Sequence, residues 1–433
     1  MSDTAPRAPK RPRVDPLYDP RVRAAVYQVL LLLLLLWLGY QVAVNVRANL
    51  VAQNIATGFG FFGITAGFGI NQSLIPYQEA DTYGRAFVVG LLNTLLVSAI
   101  GIVFATILGF IIGIARLSPN WLVARIAGGY VELIRNLPLL FQIMFWYVAV
   151  LSPLPAVRQS IGIGFQPLVQ RLADGLAWLN FDLAKAAAGL VQRFAVWIGP
   201  PEVFLNNRGL IVPEPYFHSG AGIVCAALLA GIVATIAMRI WARRRLDATG
   251  QTFPVFWASI GLVVGLPLAA LVVLGFPVGL VQPELRGFNF VGGIRLIPEF
   301  VALVLALTTY TAAFIAEVVR AGILSVSRGQ TEAAAALGLP RKRVLNLVVV
   351  PQAMRVITPP LTNQYLNLTK NSTLAAAIGY PDLFSVFAGS TLNITGQAIE
   401  IIAITMAVYL TISLVTSLLM GWYNARIQLA ERA

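Results

Sequence analysis

The chain has 433 residues, 58% of them hydrophobic and 11% charged, with a mean hydropathy of +0.77. Soluble domains carry about 25% charged residues, so this composition excludes a water-covered globule and predicts an all-α, polytopic membrane protein. The net charge of +13 lies in short clusters between apolar runs, a pattern that fits orientation in a lipid bilayer and not binding of nucleic acid.

A hydrocarbon core of about 30 Å needs roughly 20 apolar residues in a helix rising about 1.5 Å per residue. Eight segments meet that condition: Ala24–Val46, Ala86–Arg116, Ile126–Leu151, Gly222–Trp241, Val255–Val278, Glu299–Ile323, Gln352–Tyr380 and Ala398–Trp422. The third and seventh carry prolines and polar residues. The first follows a basic tail, residues 1–23, with Arg7, Lys10, Arg11, Arg13, Arg21 and Arg23. Its apolar run is longer than the about 7–15 residues of a signal-peptide core, so an uncleaved anchor is expected. Residues 47–85 read as irregular, being rich in Gly, Phe and Asn. Residues 152–220 read as a long external region, within which 183–198 is expected to form an amphipathic helix on the interface.

The cationic clusters set the orientation. With the N-terminus cytoplasmic, the groups Arg116–Arg125–Arg135, Arg239–Arg243–Arg244–Arg245, Arg320–Arg328–Arg341–Lys342–Arg343–Arg355 and Arg426–Arg432 all fall on the same side as the basic tail. Both termini are therefore expected in the cytoplasm.

Catalytic chemistry finds little foothold. The single Cys225 and single His218 exclude an internal disulfide and make a protein-built transition-metal centre improbable. None of Lys10, Lys185, Lys342 and Lys370 stands in a G-x-x-x-x-G-K-[ST] phosphate loop, so any ATP must be bound by another chain. No nucleophile elbow or catalytic dyad is visible, and no cofactor is expected.

One stretch between the sixth and seventh spans breaks the apolar pattern: RGQTEAAAALGLPRKRVLNLVVVP, residues 328–351. Thr331 is placed to cap a helix beginning at Glu332, whose carboxylate suits the positive end of the helix dipole. Ala333 to Ala336 keep that helix slim, Gly338 ends it, and Pro340 opens a second helix from Arg341. On local physics this is either a structured linker or a lever that presses its backbone into a groove on another protein.

The spacing resembles the EAA loop of ABC-importer permeases. Glu332-Ala333-Ala334 is followed by three residues and Gly338; nine more lead to Val348, Val349, Val350 and Pro351, with two of the family's aliphatic positions changed to Val. The stretches 90–118, 130–147, 316–339 and 361–383 are similar to the polar-amino-acid branch of those permeases. The eight-span build resembles a permease subunit of the general L-amino-acid importers of Gram-negative bacteria. The resemblance implies a five-helix type I permease core within residues 86–424, interrupted by an insertion at about 152–297 that carries two extra helices. It also implies an inner-membrane location and a set of partners: ABC ATPase subunits, a second and related permease subunit, a periplasmic amino-acid-binding protein and membrane lipid. ATPase coupling would fall to Glu332, Ala333, Ala334, Gly338 and Pro351.

The seventh span carries Asn363, Asn367, Lys370 and Asn371 at i, i+4, i+7 and i+8, with Ser372 and Thr373 beside them. Intramembrane ionisable groups are costly. The stripe is therefore either interhelical hydrogen-bonding glue or the wall of a substrate pathway, and the sequence leaves both open. Glu317–Arg320 and Glu132–Arg135 are spaced to pair locally. Gly109 and Gly113 form a GxxxG seam for close helix packing. The alternative function, a self-sufficient secondary transporter or channel, expects repeated halves and a midplane carboxylate. Neither is visible.

Overall fold

The structure, a computed structural model, describes residues 20–52, 56–164, 203–275 and 278–428, with a few positions between 171 and 189. The interfacial helix expected at 183–198 falls almost wholly outside the described residues. Helices dominate: α1 (Pro20–Ala52), α2 (Tyr83–Ala115), α3 (Trp121–Asn136), α4 (Leu139–Leu151), α5 (Ala221–Thr249), α6 (Val255–Val273) and α7 (Pro298–Leu324). After these come α8 (Arg328–Ala336), α9 (Arg341–Ile378), α10 (Phe384–Thr391, extended by Leu392–Thr395) and α11 (Ala398–Gln428). Seven of them are long and apolar enough to cross a membrane, or eight if α3 and α4 form one broken span.

That break corrects the third predicted span. Instead of one helix over 126–151, α3 and α4 meet at 108°. Leu137 precedes a proline and takes the extended conformation such residues favour, φ −98° and ψ 131°, and Pro138 then opens α4. Asn120 starts α3 by accepting hydrogen bonds from the N–H groups of Leu122 (3.0 Å) and Val123 (3.3 Å). The seventh span also differs from expectation. It begins at Arg341, eleven residues before the predicted Gln352, and runs through a π-helical turn at Leu345–Val349 just before Pro351. The wider turn relieves the clash and missing donor that a proline brings to a helix interior.

The centre of the bundle is α7. In its most apolar stretch 56% of residues are buried, against none for α1. It packs along α2 through the predicted glycine seam. A Cβ on Gly109 would stand 2.6 Å from Ile315 Cβ, and one on Gly113 would stand 2.8 Å from both Ala316 O and Val319 Cβ. Hydrogen bonds then tie in the neighbours: Tyr130 of α3 donates to Thr309 O at 2.7 Å, and Thr106 of α2 meets the Tyr365 hydroxyl of α9 at 2.9 Å. A second apolar cluster forms where the irregular segment before α2 meets α10 and α11, with Phe61, Tyr83, Leu383, Phe387 and Ile401 buried.

Strands, which the composition did not announce, fill the stretches around α5 and α6. They are β1 (Ile161–Ile163), β2 (Val203–Asn206), β3 (Gly209–Val212), β4 (Glu214–Phe217), β5 (Val278–Val281), β6 (Glu284–Arg286), β7 (Asn289–Val291) and β8 (Ile294–Leu296). One antiparallel sheet has the order β1-β2-β3-β8, with Leu210 opposite Leu296 and Val212 opposite Ile294; β4 pairs with β5, Glu214 opposite Val281. The segment entering α5 is thus zipped to the segment leaving α6, which puts both on one side of the membrane. Residue 278, predicted as the end of a helix, is the first residue of β5.

Candidate functional site

The short helix α8 hangs between the C-terminal end of α7 and the start of α9. Its first turn starts earlier than predicted. Ser327 is the extended N-cap residue, at φ −63° and ψ 140°, without a side-chain cap. Thr331 lies inside the helix, donating its hydroxyl proton to Arg328 O at 2.7 Å, so it does not cap a helix at Glu332. The far end matches the sequence reading. Gly338 sits at φ +74° with open space around it, and Gly338 N and Leu339 N donate to the carbonyls of Ala335 (2.9 Å) and Ala334 (3.4 Å). That pair of bonds is the left-handed helix terminator in which glycine avoids Cβ strain.

Among the described residues of this helix, Ala334 is the one that is buried, and Thr331 is half-buried. Ala334 is buried against Val344 and Val349, with Ile323, Val326, Leu339 and Val348 around them. Glu332, Ala333, Ala335 and Ala336 are exposed, and Leu337 is 81% exposed. The seat joins the end of α7 to the start of α9, so displacement of α8 must be felt by both. Pro340 leads straight into exposed Arg341, Lys342 and Arg343. Three cations in the first turn of a helix oppose its dipole, an arrangement that an acidic neighbour would relieve. About two helical turns before the end of α7, Glu317 bridges Arg320 on the same helix and Arg116 at the end of α2. The local pair read from sequence is therefore a three-residue clasp. The other predicted pair does not form: Arg135 lies over the Phe314 ring, 5.1 Å from its centroid, and Glu132 makes no ion pair among the described residues. Pro351 is exposed, on the first turn after the π-helical segment.

The polar stripe on α9 splits. Asn363, Asn367 and Lys370 are exposed on one face; Asn371 and Thr373 are half-buried, the latter donating to Lys370 O at 2.8 Å. Ser372 departs from the stripe. It is fully buried and donates to Thr369 O at 2.8 Å, because nine residues after Asn363 it falls on the opposite face of the helix. Lys370 makes no ion pair among the described residues.

Sequence reasoning passed over a buried polar knot beyond the end of α9. Asn93 on α2 donates to Gln72 O (2.8 Å) and Pro381 O (2.9 Å), and Thr94 Oγ1 accepts from Leu383 N at 2.9 Å. Asp382, fully buried, accepts from Ser385 N at 2.8 Å and from the Tyr409 hydroxyl at 3.2 Å. The signal was present as the only acidic residue between the seventh and eighth spans, in GYPDLF. The knot holds the α9–α10 connection against α2. Asp382→Ala is expected to cost about 2 kcal/mol by removing the buried carboxylate that accepts from both Ser385 N and the Tyr409 hydroxyl, read as a lower melting temperature of the purified chain in detergent; an unchanged melting temperature would refute the assignment.

The family described as the binding-protein-dependent transport system inner membrane component matches residues 221–429. The general L-amino acid transport system permease protein AapQ of Rhizobium johnstonii is 49% identical over 416 residues, covering 96% of this chain and 95% of that protein. The chain belongs to this permease family. The permease is likewise 48% identical over 414 residues to the putative amino-acid ABC transporter permease protein YhdX of Escherichia coli K12, covering 96% of each. It is 43% identical over 432 residues to the glutamate/glutamine/aspartate/asparagine transport system permease protein BztB of Rhodobacter capsulatus, again over 96% of each. It is a multi-pass protein of the inner membrane and a transport component, not a classical enzyme. The expected fold class, a helical permease with about eight spans, holds. The expected function class of importer permease holds too, and nothing supports the self-sufficient transporter.

Proposed function

We propose that this permease carries L-amino acids across the inner membrane as one of a pair of related permease subunits, with both termini in the cytoplasm. A periplasmic binding protein delivers the substrate, and separate ATPase subunits bind ATP and drive the cycle; the permease itself carries no cofactor. The observation that supports this most is the shape of α8, a nearly bare helix pinned by Ala334 between the ends of α7 and α9. Force applied there by a neighbour reaches two membrane helices at once, which is what switching between inward- and outward-facing states requires. The relatives' printed names supply the amino-acid class. Glu332, Ala333, Ala334, Gly338 and Pro351 keep the coupling role. For the pathway, Asn363, Asn367 and Lys370 present the exposed face, with Asn371 and Thr373 at its margin and Ser372 behind it as a packing residue.

The decisive experiment is purification of the permease from its native membrane, identification of every co-purifying subunit, and uptake of radiolabelled amino acids by vesicles containing the set, with and without internal ATP. ATP-dependent uptake by the set supports the reading; uptake by this chain alone, driven by an ion gradient, would overturn it. Lys370→Met is expected to lower uptake at least tenfold while leaving assembly intact, since removing a pathway cation takes away an attraction for the substrate carboxylate that Met cannot replace. Wild-type uptake by that variant would assign the stripe to packing between the two permeases.

A further inference from the structure

The hairpin of α5 and α6 is attached to the bundle chiefly by its strands, and the described part of it holds a cleft of about 720 Å³ between the two helices at its basic end. Arg239 and Arg243 line it, one helical turn apart and so on the same face of α5. Ile240 lies between them on the α5 wall, Ile236 continues it one turn before Arg239, and Phe256 of α6 supplies the facing apolar wall. Among the described residues no carboxylate pairs with Arg239 or Arg243. Arg245 is engaged elsewhere, over the Trp241 ring at 5.3 Å and donating to Gln251 Oε1 at 2.7 Å. The cleft is therefore cationic at one end and greasy along its length. Its walls remain open: Ile236 is 56% and Phe256 68% exposed.

We propose that this cleft seats an anionic phospholipid, its phosphate between Arg239 and Arg243 and its acyl chains along Ile236, Ile240 and Phe256. The charge pattern selects the occupant. A free anion would leave the apolar walls wet, and a zwitterionic lipid would bring its own cation against the two guanidinium groups. An anionic headgroup at the hydrocarbon boundary satisfies both ends at once, in the manner of basic pockets between transmembrane helices. The hairpin's small buried fraction, 6% for the apolar stretch of α6, leaves the lipid a direct route in from the bilayer.

The test is native mass spectrometry of the full-length permease, delipidated and then titrated with phosphatidylglycerol, with phosphatidylcholine, or with inorganic phosphate. Wild type is expected to retain phosphatidylglycerol in preference to phosphatidylcholine, and Arg239→Gln or Arg243→Gln to lose roughly fivefold in that retention for each arginine removed. Arg244→Gln, the same charge change outside the cleft lining, is expected to leave it unaltered. Phe256→Ala is expected to weaken phosphatidylglycerol without affecting phosphate, which separates a lipid seat from a bare anion site. Equal loss in Arg244→Gln, equal retention of the two lipids, or displacement of phosphatidylglycerol by millimolar phosphate would each overturn the proposal.

Discussion

Leu337→Asp is expected to cut ATP-driven uptake by roughly a thousandfold while the chain still inserts and folds. The side chain is 81% exposed at the tip of α8, so nothing within the permease depends on it. In a partner's groove a fully buried leucine contributes about 1.5–3 kcal/mol, and a buried unpaired carboxylate in its place adds a further penalty of similar size. Together these amount to about 4 kcal/mol, or about three decades in association. Co-purification of the ATPase subunits should fall in parallel with uptake, whereas the thermal stability of the permease should not move. If Leu337→Asp transports at the wild-type rate, α8 is not the site where the ATPase grips.

The second large effect is internal. Gly113→Leu should prevent accumulation of the folded chain. Even a single Cβ at this position would press to 2.8 Å on Ala316 O and on Val319 Cβ, atoms of backbone and stiff β-branched side chain that have no room to turn aside. Overpacking of this kind costs typically about 1–3 kcal/mol for small additions, and a leucine would part α2 from α7 along the most buried seam of the bundle. Gly109→Ala, where the added Cβ meets Ile315 at 2.6 Å, should show the milder version as a lowered melting temperature. Gly128→Ala is the control. No atom lies within 4 Å of its added Cβ, and on α3 it should be neutral or stabilising by up to about 1 kcal/mol through helix propensity. Equal behaviour of Gly113 and Gly128 variants would remove the case for the seam.

What the sequence made legible follows the range over which each feature is determined. Hydropathy is a property of a local window, so α2 and α7 stand close to their predicted bounds, whereas α5 and α11 begin where predicted but run past Trp241 and Trp422 to Thr249 and Gln428. The α8 terminator was legible for the same reason, since a glycine with positive φ and the proline after Leu339 act over three residues. The β-sheet was not, because its strands are only three or four residues long and β3 finds β8 across the whole α5–α6 hairpin; nothing local encodes such a partner. Pro138 was visible but ambiguous, since Pro359 and Pro360 lie inside α9 without ending it. What differs is the neighbourhood: Leu137 can turn extended at the bundle surface, whereas residues 357 and 358 are held by packing. Ser372, nine residues after Asn363, falls on the opposite face of an ideal helix, so its burial was legible in the 3.6-residue period itself.

Helix α7 runs unbroken for 27 residues, about 40 Å at 1.5 Å per residue. At one tip β8 enters it through the single residue Ile297, and at the other it passes to α8 within the three residues 325–327. A stiff strut joined so tightly at both tips cannot absorb a push at one as local slack. Occupancy of the sheet by any ligand that favours one tilt of the strut must alter the affinity of whatever holds α8, and by the same factor in the reverse direction. The two compartments are thereby made to consult each other through a single helix.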